Sequence, residues 1–400
     1  MDACYRADFP KDAAVSERSE LKAKPCVTLE DLQRLRAQRR DDPERQRLPQ
    51  AQDFTLEINH PWPFQANRTL WLRVLPPTVG SSTTVGSSTT VGSSTMNEPE
   101  GCMVYVHGGG FVMGQKDEQD FKLLRLNAGG RLLVVSLGYR LAPEHPHPTG
   151  VDDVASALYW LSTPRGRRFM SGQGRPDHPG RQGDVSIHLD GPVQQEEEEE
   201  AALPTWTQNV FLCGESAGAY LAFQAVSKLQ KQFGLDLVKG TVFVYGCFDP
   251  GSTPSVAQCR CQSALHPAEM GFFMDSTFGP DRRYARVPEV NALYDIHFRE
   301  TVRRGRNHVL LVCGADDPLY CDSAFMYMVL TRHAASVEMT FVEVEEKITE
   351  NGRIPAAVEL KSFIGLTHAC FGREEVLTGY VEAWVRAASS AATASLQLTS

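Results

Sequence analysis

The sequence predicts an α/β fold in which helices flank a mostly parallel central sheet and a small helical cap is added. Three apolar segments of strand length support this fold, because each runs directly into a short glycine-rich or polar segment. The three segments that follow them are Gly214-Glu-Ser-Ala-Gly218, His107-Gly-Gly-Gly-Phe111 and Gly314-Ala-Asp-Asp-Pro318. Open α/β sheets place their functional groups at the carboxyl ends of the strands. We therefore expect these segments to meet at one sheet edge.

The first segment has the layout of a nucleophile elbow, a sharp strand-to-helix turn that carries a serine. The strand is Asn209–Cys213, and a helical pattern begins at Ala217 and continues to about residue 233. The helix N-terminus places its dipole and free N–H groups beside the hydroxyl of Ser216. Glycine at positions 214 and 218 avoids a Cβ that would clash with the neighbouring strand and helix. We predict that Ser216 is a nucleophile.

A serine hydroxyl is a weak nucleophile and needs a base, an orienting acid and donors for an oxyanion. The strand Met103–Val106 ends in His107 and three glycines, whose backbone can approach a substrate closely. His107 is expected to orient this loop and not to act as the base. We predict that four residues form the oxyanion hole: Gly108, Gly109, Gly110 and Ala217. Gly109 and Gly110 are expected to be the main donors of the loop.

The orienting acid is expected just beyond the apolar strand His308–Cys313, where two aspartates are adjacent. Asp317 precedes a proline, which favours an extended backbone conformation. Asp316 is the competing candidate, and an aspartate that only caps the loop is the other alternative. We choose Asp317 as the acid.

The base must be chosen among eleven histidines. In folds with a nucleophile elbow the histidine follows the acid along the chain, and only His333 and His368 follow Asp317. His333 lies near the end of a predicted helix, residues 323–335, in a context typical of a solvated helix C-terminus. His368 lies in a loop after a strand and before a predicted terminal helix, about residues 374–387. We predict that His368 is the base.

With these residues assembled, the chain resembles the hormone-sensitive-lipase-like family of α/β hydrolases. The resemblance spans roughly residues 55–165 and 205–388. It rests on the motifs around His107, Ser216, Asp317 and His368 and most specifically on Tyr139-Arg-Leu-Ala-Pro-Glu-His-Pro146. The resemblance implies an α/β-hydrolase fold, and a lid formed by N-terminal helices together with a second cap segment.

Three features depart from the family pattern. Ala369 follows the predicted base where the family usually has glycine. Asp322 lies one residue later than the family's second acid. Residues 345–361, between the predicted acid and base, resemble an insertion. These departures concern the local shape near His368 and remove no catalytic group.

The function that the resemblance and the residues indicate is a serine esterase that hydrolyses carboxylic esters of small or lipophilic molecules. It would work through an acyl-enzyme, with no cofactor and no metal. Relatives act in detoxification, lipid hydrolysis and secondary metabolism. One alternative is an amidase, thioesterase or acyltransferase with the same triad. The other is a ligand-binding receptor built on an inactive hydrolase, although such receptors lack the histidine.

Composition excludes several other classes of function. The net charge is −9, but five of the negative charges form one run at 196–200, and no basic stripe indicates nucleic-acid binding. The N-terminus has no apolar signal-peptide core, and the apolar runs are too short to span a bilayer. Several of the ten cysteines fall in predicted buried strands. We expect a cytoplasmic protein without a membrane span, as a monomer or homodimer.

The predicted organisation is a partly disordered N-terminal helical and cap segment at 1–50, a hydrolase domain at 51–388 and a disordered tail at 389–400. The first segment includes a charged helix, residues 29–47. Three further segments interrupt the domain: a Thr-Val-Gly-Ser-Ser-Thr repeat loop at a hairpin position (78–95), a disordered insertion (163–204) and a cap segment (251–300). Five cap residues suit either a lipophilic pocket wall or ordinary cap packing: Met270, Phe272, Phe273, Met274 and Phe278.

Overall fold

One continuous sheet organises the part of the chain that the computed structural model describes. The described residues are 26–42, 47–58, 68–77, 99–172, 185–189, 203–251, 265–281, 287, 289–305, 307–331, 339–342, 358–363 and 366–397. Ten strands lie among them. Their bounds are β1 Gln52–Ile58, β2 Arg68–Leu75, β3 Gly101–Val106, β4 Leu132–Gly138, β5 Val185–Leu189, β6 Val210–Glu215, β7 Val238–Val244, β8 His308–Gly314, β9 Met339–Val342 and β10 Val358–Phe363.

The strand order places the three predicted segments at one edge of the sheet. The order is β5-β1-β2-β4-β3-β6-β7-β8-β10-β9. Neighbouring strands are parallel from β4 to β9 and between β5 and β1, whereas β2 is antiparallel to β1 and β4. This confirms the predicted α/β fold with a mostly parallel sheet. Because β3, β6 and β8 are parallel, the loops that follow them emerge at the same edge.

Helices cover both faces of the sheet. Consecutive residues of β3 face opposite sides of the sheet. Val104 belongs to one apolar core, together with helical residues such as Leu158 and Leu221. Tyr105 belongs to a second core, together with Leu123 and Trp384. Burial of both faces explains why β3 is continuously apolar. The helices are α1 Leu29–Arg40, α2 Asp120–Leu126, α3 Thr149–Ser162, α4 Pro164–Met170, α5 Ala217–Phe233, α6 Pro267–Phe278, α7 His297–Arg303, α8 Tyr320–Thr331 and α9 Glu375–Gln397.

Two predicted helix ends were wrong. The N-terminal helix ends at Arg40 and not at residue 47, with Asp41 as its C-cap; Asp42 precedes a proline in the sequence, which disfavours continuation of the helix. The terminal helix continues to Gln397, so residues 389–397 are not the disordered tail that we expected. This segment is rich in alanine, which has the highest helix propensity, and Ser389 is buried within it.

The segment 163–204 contains regular structure where we expected disorder, which corrects that prediction for its described part. Thr163 caps α4 by accepting a hydrogen bond from the backbone N–H of Gly166. Phe169 is buried and packs edge-on against Phe54, with ring centroids 4.8 Å apart. Strand β5 pairs in parallel with β1. Residues 173–184 and 190–202 lie outside the described residues.

The repeat segment 78–95 also lies outside the described residues, but the strands on either side of it do not form a hairpin. Strand β4 lies between β2 and β3 and pairs with both. The connection from β2 to β3 therefore crosses β4, and the predicted hairpin position was wrong. Residues 358–361 of the expected insertion 345–361 belong to β10, which pairs in parallel with β8.

Candidate functional site

Ser216 occupies the turn between β6 and α5 in a strained backbone conformation. Its φ is 54° and its ψ is −118°, values that L-residues rarely adopt. The neighbouring glycines are required by close backbone approach: a Cβ at Gly214 would lie 2.6 Å from Ala219 Cα, and one at Gly218 would overlap the carbonyl oxygen of Val106. This is the tight strand-to-helix turn that the sequence predicts, and it brings the serine to the carboxyl edge of the sheet.

The structure brings together the three residues that we predicted as nucleophile, base and acid. The Oγ atom of Ser216 lies 3.1 Å from Nε2 of His368. On the other side of the ring, Nδ1 of His368 lies 3.1 Å and 3.0 Å from the two carboxylate oxygens of Asp317. With its proton on Nδ1, the imidazole donates to the carboxylate and presents the Nε2 lone pair to the serine hydroxyl.

Of the two adjacent aspartates, Asp317 faces the histidine. Its side chain is fully buried, and its Oδ1 also accepts a hydrogen bond of 2.7 Å from the backbone N–H of Leu319. Asp316 is exposed, and its backbone N–H donates to the carbonyl of Leu366. His333, the competing base, lies outside the described residues.

The glycine loop after β3 passes directly beside Ser216. A Cβ at Gly108 would lie 3.3 Å from the Cβ of Ser216. Gly109 and Gly110 have φ values of 120° and 60°, in the region that favours glycine. The loop closes in a tight turn, in which the backbone N–H groups of Val112 and Met113 both donate to the carbonyl of Gly109. Ala217, the fourth predicted donor, begins α5.

His107 is the first residue of this loop. Its described hydrogen bonds are to Gly108 and Tyr139, and not to His368 or Asp317. Its Nδ1 lies 2.7 Å from the carbonyl oxygen of Gly108, and its ring stacks on Tyr139 with centroids 4.3 Å apart. The Tyr139 hydroxyl donates to the backbone carbonyl of His107. Burial lowers the pKa of His107, which favours the neutral imidazole. The neutral ring can donate from Nδ1 to the carbonyl oxygen of Gly108.

A buried network around Glu215, the residue before the serine, was missed by sequence reasoning. Its carboxylate accepts hydrogen bonds from Lys122 Nζ (2.5 Å), the Tyr105 hydroxyl (2.6 Å) and the Tyr245 hydroxyl (2.8 Å). Burial raises the pKa of Glu215, but the Lys122 charge and these hydrogen bonds outweigh it and hold the pKa below its ordinary value. The only sequence signal was a charged residue inside an otherwise small and apolar elbow.

Two of the departures from the family pattern have visible consequences. Ala369, directly after His368, has a φ of 63°, the left-handed conformation that glycine adopts most easily. Asp322 is buried, and its Oδ1 accepts hydrogen bonds from the backbone N–H groups of Phe248 (2.7 Å) and Asp249 (2.8 Å). Asp322 thereby joins the helix after the candidate acid to the chain that enters the cap segment.

The cap helix α6 lies against the glycine loop. A Cβ at Gly110 would overlap the ring of Phe273, so this phenylalanine is in direct contact with the loop. Ser216 is only 8% exposed. Of the five predicted cap residues, Phe272 is partly buried. The other four are buried: Met270, Phe273, Met274 and Phe278. Phe273 therefore lies at the site, while Phe278 packs edge-on against Phe111 with ring centroids 5.5 Å apart.

Among the described residues, no group of three His, Cys, Asp or Glu side chains is arranged to hold a metal ion. No helix in the same part of the chain is long and apolar enough to cross a membrane.

A family described by its alpha/beta hydrolase fold matches residues 103–349, which is more than half of the chain. The chain belongs to this family, which includes the hormone-sensitive-lipase-like esterases. The match begins within β3, so α1, β1 and β2 lie outside it.

Several proteins with similar sequences are named as esterases. The chain is 42% identical to Esterase LipI of Mycobacterium tuberculosis over 73 residues, covering 18% of this chain and 22% of that protein. It is 31% identical to Probable carboxylesterase 6 of Arabidopsis thaliana over 145 residues, covering 36% of this chain and 34% of the relative. The chain therefore spans only 22% and 34% of the lengths of these two relatives.

A solved structure of an esterase from Pyrobaculum calidifontis superposes with a TM-score of 0.61. It covers 90% of this chain and 94% of the esterase, at 18% sequence identity. At this level of identity the likeness establishes the fold alone.

Proposed function

We propose that this protein is a serine carboxylesterase that hydrolyses esters of small or lipophilic molecules. The observation that carries the proposal is the unbroken series of contacts from Ser216 Oγ to His368 Nε2 and from His368 Nδ1 to Asp317. The family and its named esterase relatives support the same class of reaction.

In the proposed mechanism, Ser216 attacks the ester carbonyl while His368 removes the proton of its hydroxyl. Asp317 holds the imidazole in the required tautomer and stabilises the imidazolium that forms. The imidazolium then donates its proton to the leaving alcohol, which leaves an acyl group on Ser216. Water, activated by the same histidine, attacks the acyl-enzyme and releases the carboxylic acid.

The negative charge that develops on the carbonyl oxygen would be stabilised by backbone N–H groups of Gly109, Gly110 and Ala217. Gly108 is part of the same loop and was included in the predicted hole. The loss of one such donor costs roughly 3–4 kcal/mol of transition-state stabilisation in other enzymes. The support for this assignment is the positive-φ glycine turn, which lies beside Ser216 at the start of α5.

The test is turnover of p-nitrophenyl acetate, butyrate, octanoate and palmitate by the wild type and by Ser216→Ala. We expect the wild type to hydrolyse at least one ester and the variant to lose this activity while it keeps its thermal unfolding transition. Ser390→Ala, an exposed serine in α9, is the matched control and should behave as the wild type. Turnover that persists in Ser216→Ala would contradict the proposal. A p-nitroanilide and a thioester with the preferred acyl chain would separate esterase from amidase and thioesterase activity.

We further propose a reducing compartment such as the cytoplasm. The support is that seven described cysteines are buried, where cysteine behaves as a small hydrophobic residue. An intramolecular disulfide in protein isolated without reductant would contradict this proposal.

A further inference from the structure

The N-terminal helix α1 reaches the glycine loop through one arginine, although the helix lies outside the matched family segment. Nε of Arg36 donates a hydrogen bond of 2.7 Å to the carbonyl oxygen of Val112. Nη2 of the same guanidinium donates one of 2.6 Å to the carbonyl oxygen of Ala142. A single side chain therefore joins two segments that are 30 residues apart in sequence.

Both carbonyls belong to the structure that closes the glycine turn. The N–H of Val112 donates to the carbonyl of Gly109, and the N–H of Ala142 donates to the carbonyl of Phe111. Arg36 donates hydrogen bonds to the carbonyl oxygens of the same two residues, Val112 and Ala142. The position of the Gly109–Gly110 backbone thus depends on a turn that is held both by its own hydrogen bonds and by Arg36.

The guanidinium is itself fixed. Glu144 binds it with both carboxylate oxygens, at 2.7 Å from Nη1 and 3.0 Å from Nη2. The hydrogen bond from Arg36 lowers the pKa of Glu144, so this carboxylate is ionised at neutral pH. A planar guanidinium can serve two carbonyls and a carboxylate at once, which an ammonium group on a flexible stem cannot do.

Other contacts anchor α1 and its N-terminal end independently of Arg36. The backbone N–H of Cys26 donates to Glu269 Oε1 on α6, at 2.7 Å, and Arg39 pairs with Glu118 at 2.8 Å. Loss of Arg36 should therefore leave the helix in place. The residue affected most directly would be Val112, in the turn that holds Gly109.

We infer that Arg36 is a positioning residue for the oxyanion hole, which it holds in place through the carbonyl of Val112. This inference rests on the proposed function, because it assumes that Gly109 and Gly110 donate to a developing oxyanion. Removal of Arg36 should displace these donors and weaken interactions that exist in the transition state. Ground-state binding of the ester should change much less.

The experiment compares Arg36→Met and Arg36→Lys with the wild type. Arg34→Met is the matched control, since Arg34 pairs within its own helix with Asp31. For each protein, kcat and KM for p-nitrophenyl butyrate, the inhibition constant of a trifluoromethyl ketone and the thermal unfolding midpoint are measured. Active-site titration corrects every rate for the fraction of competent enzyme.

We expect Arg36→Met to lower kcat by roughly 10- to 100-fold with KM within about 3-fold, since one oxyanion donor is worth about 10²–10³ in kcat. Affinity for the trifluoromethyl ketone, which mimics the tetrahedral intermediate, should fall by the same factor as kcat/KM. Arg36→Lys should lie between wild type and Arg36→Met, and Arg34→Met should match the wild type.

A kcat within 2-fold of wild type in Arg36→Met, or a rise in KM alone, would overturn the inference. If Arg36→Met does not fold, the same criteria are applied to Arg36→Gln, which also removes the guanidinium. Failure of the proposed function gives a different result, namely no turnover by the wild type or full turnover by Ser216→Ala.

Discussion

The ring of Tyr245 packs against the imidazole of His368, with centroids 4.6 Å apart. The tyrosine hydroxyl donates to Glu215, the residue before Ser216, and accepts a hydrogen bond of 3.3 Å from the backbone N–H of Phe371. One side chain therefore contacts the candidate base, the elbow and the loop that carries the base. This arrangement fixes the distance between two loops that are about 150 residues apart in sequence.

Tyr245→Phe removes these two hydrogen bonds and keeps the ring against His368. We expect a loss of about 1–3 kcal/mol in the free energy of unfolding, because a buried carboxylate and a buried N–H each lose a partner. We also expect kcat to fall roughly tenfold, since small displacements of a catalytic group are costly. Urea unfolding and steady-state kinetics measure both effects. Tyr294→Phe, at an exposed tyrosine, is the control, and an equal effect in both variants would refute the role of Tyr245.

Asp317→Asn should lower kcat by about 10⁴-fold, because an amide at this position favours the wrong imidazole tautomer. Asp316→Asn should change kcat by less than about 3-fold, because Asp316 is exposed and the carboxylate of Asp317 is the one beside Nδ1 of His368. The pair is compared by kcat at pH 8 after active-site titration. If Asp316→Asn is the more damaging substitution, the choice of acid is wrong.

Ala369→Gly should stabilise the protein by about 0.5–1 kcal/mol. Glycine relieves the left-handed strain at a φ of 63°, although it also increases the entropy of the unfolded chain. Ala383→Gly, in the interior of α9, is the matched control and should destabilise by about 1 kcal/mol. Equilibrium urea unfolding compares the two variants. Destabilisation of similar size in both would show that Ala369 is not strained.

The sequence predicted the parts of the fold in which an apolar strand is followed directly by a glycine-rich or polar motif. The elbow shows this best, since Ser216 is preceded by a buried strand and followed by a helix with the predicted bounds. The regions for which the prediction was wrong carry no such motif. Helix α4 forms in a charged, glycine-containing segment because Phe169 and Met170 find an apolar partner surface, which is a tertiary effect.

The three central residues of the candidate site were predictable from the sequence, but the polar contacts that hold the surrounding segments in place were not. The order of Ser216, Asp317 and His368 along the chain follows a known pattern, and their proximity in the structure agrees with it. The contacts of Lys122 and Arg36 join segments that no local pattern connects. Such long-range polar contacts depend on strand order and helix packing, which a single sequence does not specify.

His147 should make stability depend on pH. Burial lowers its pKa from 6.5 to about 4, so between these values the unfolded chain binds more protons than the folded protein. Stability therefore falls as pH decreases from about 6.5 to about 4, by no more than about 3 kcal/mol from this group. Urea unfolding from pH 4 to 8 should show a smaller decrease in His147→Gln than in the wild type. His145→Gln, at an exposed histidine, should follow the wild type; identical curves for all three proteins would contradict this account.

The most direct test of the central claim is covalent labelling with a fluorophosphonate, followed by mass spectrometry of the digested protein. The account predicts a single adduct on Ser216, absent in Ser216→Ala and formed at least about 100-fold more slowly in His368→Ala, since the base activates the nucleophile. A folded wild type that forms no adduct, or an adduct on another residue that persists in Ser216→Ala, would contradict the assignment of Ser216 as the nucleophile.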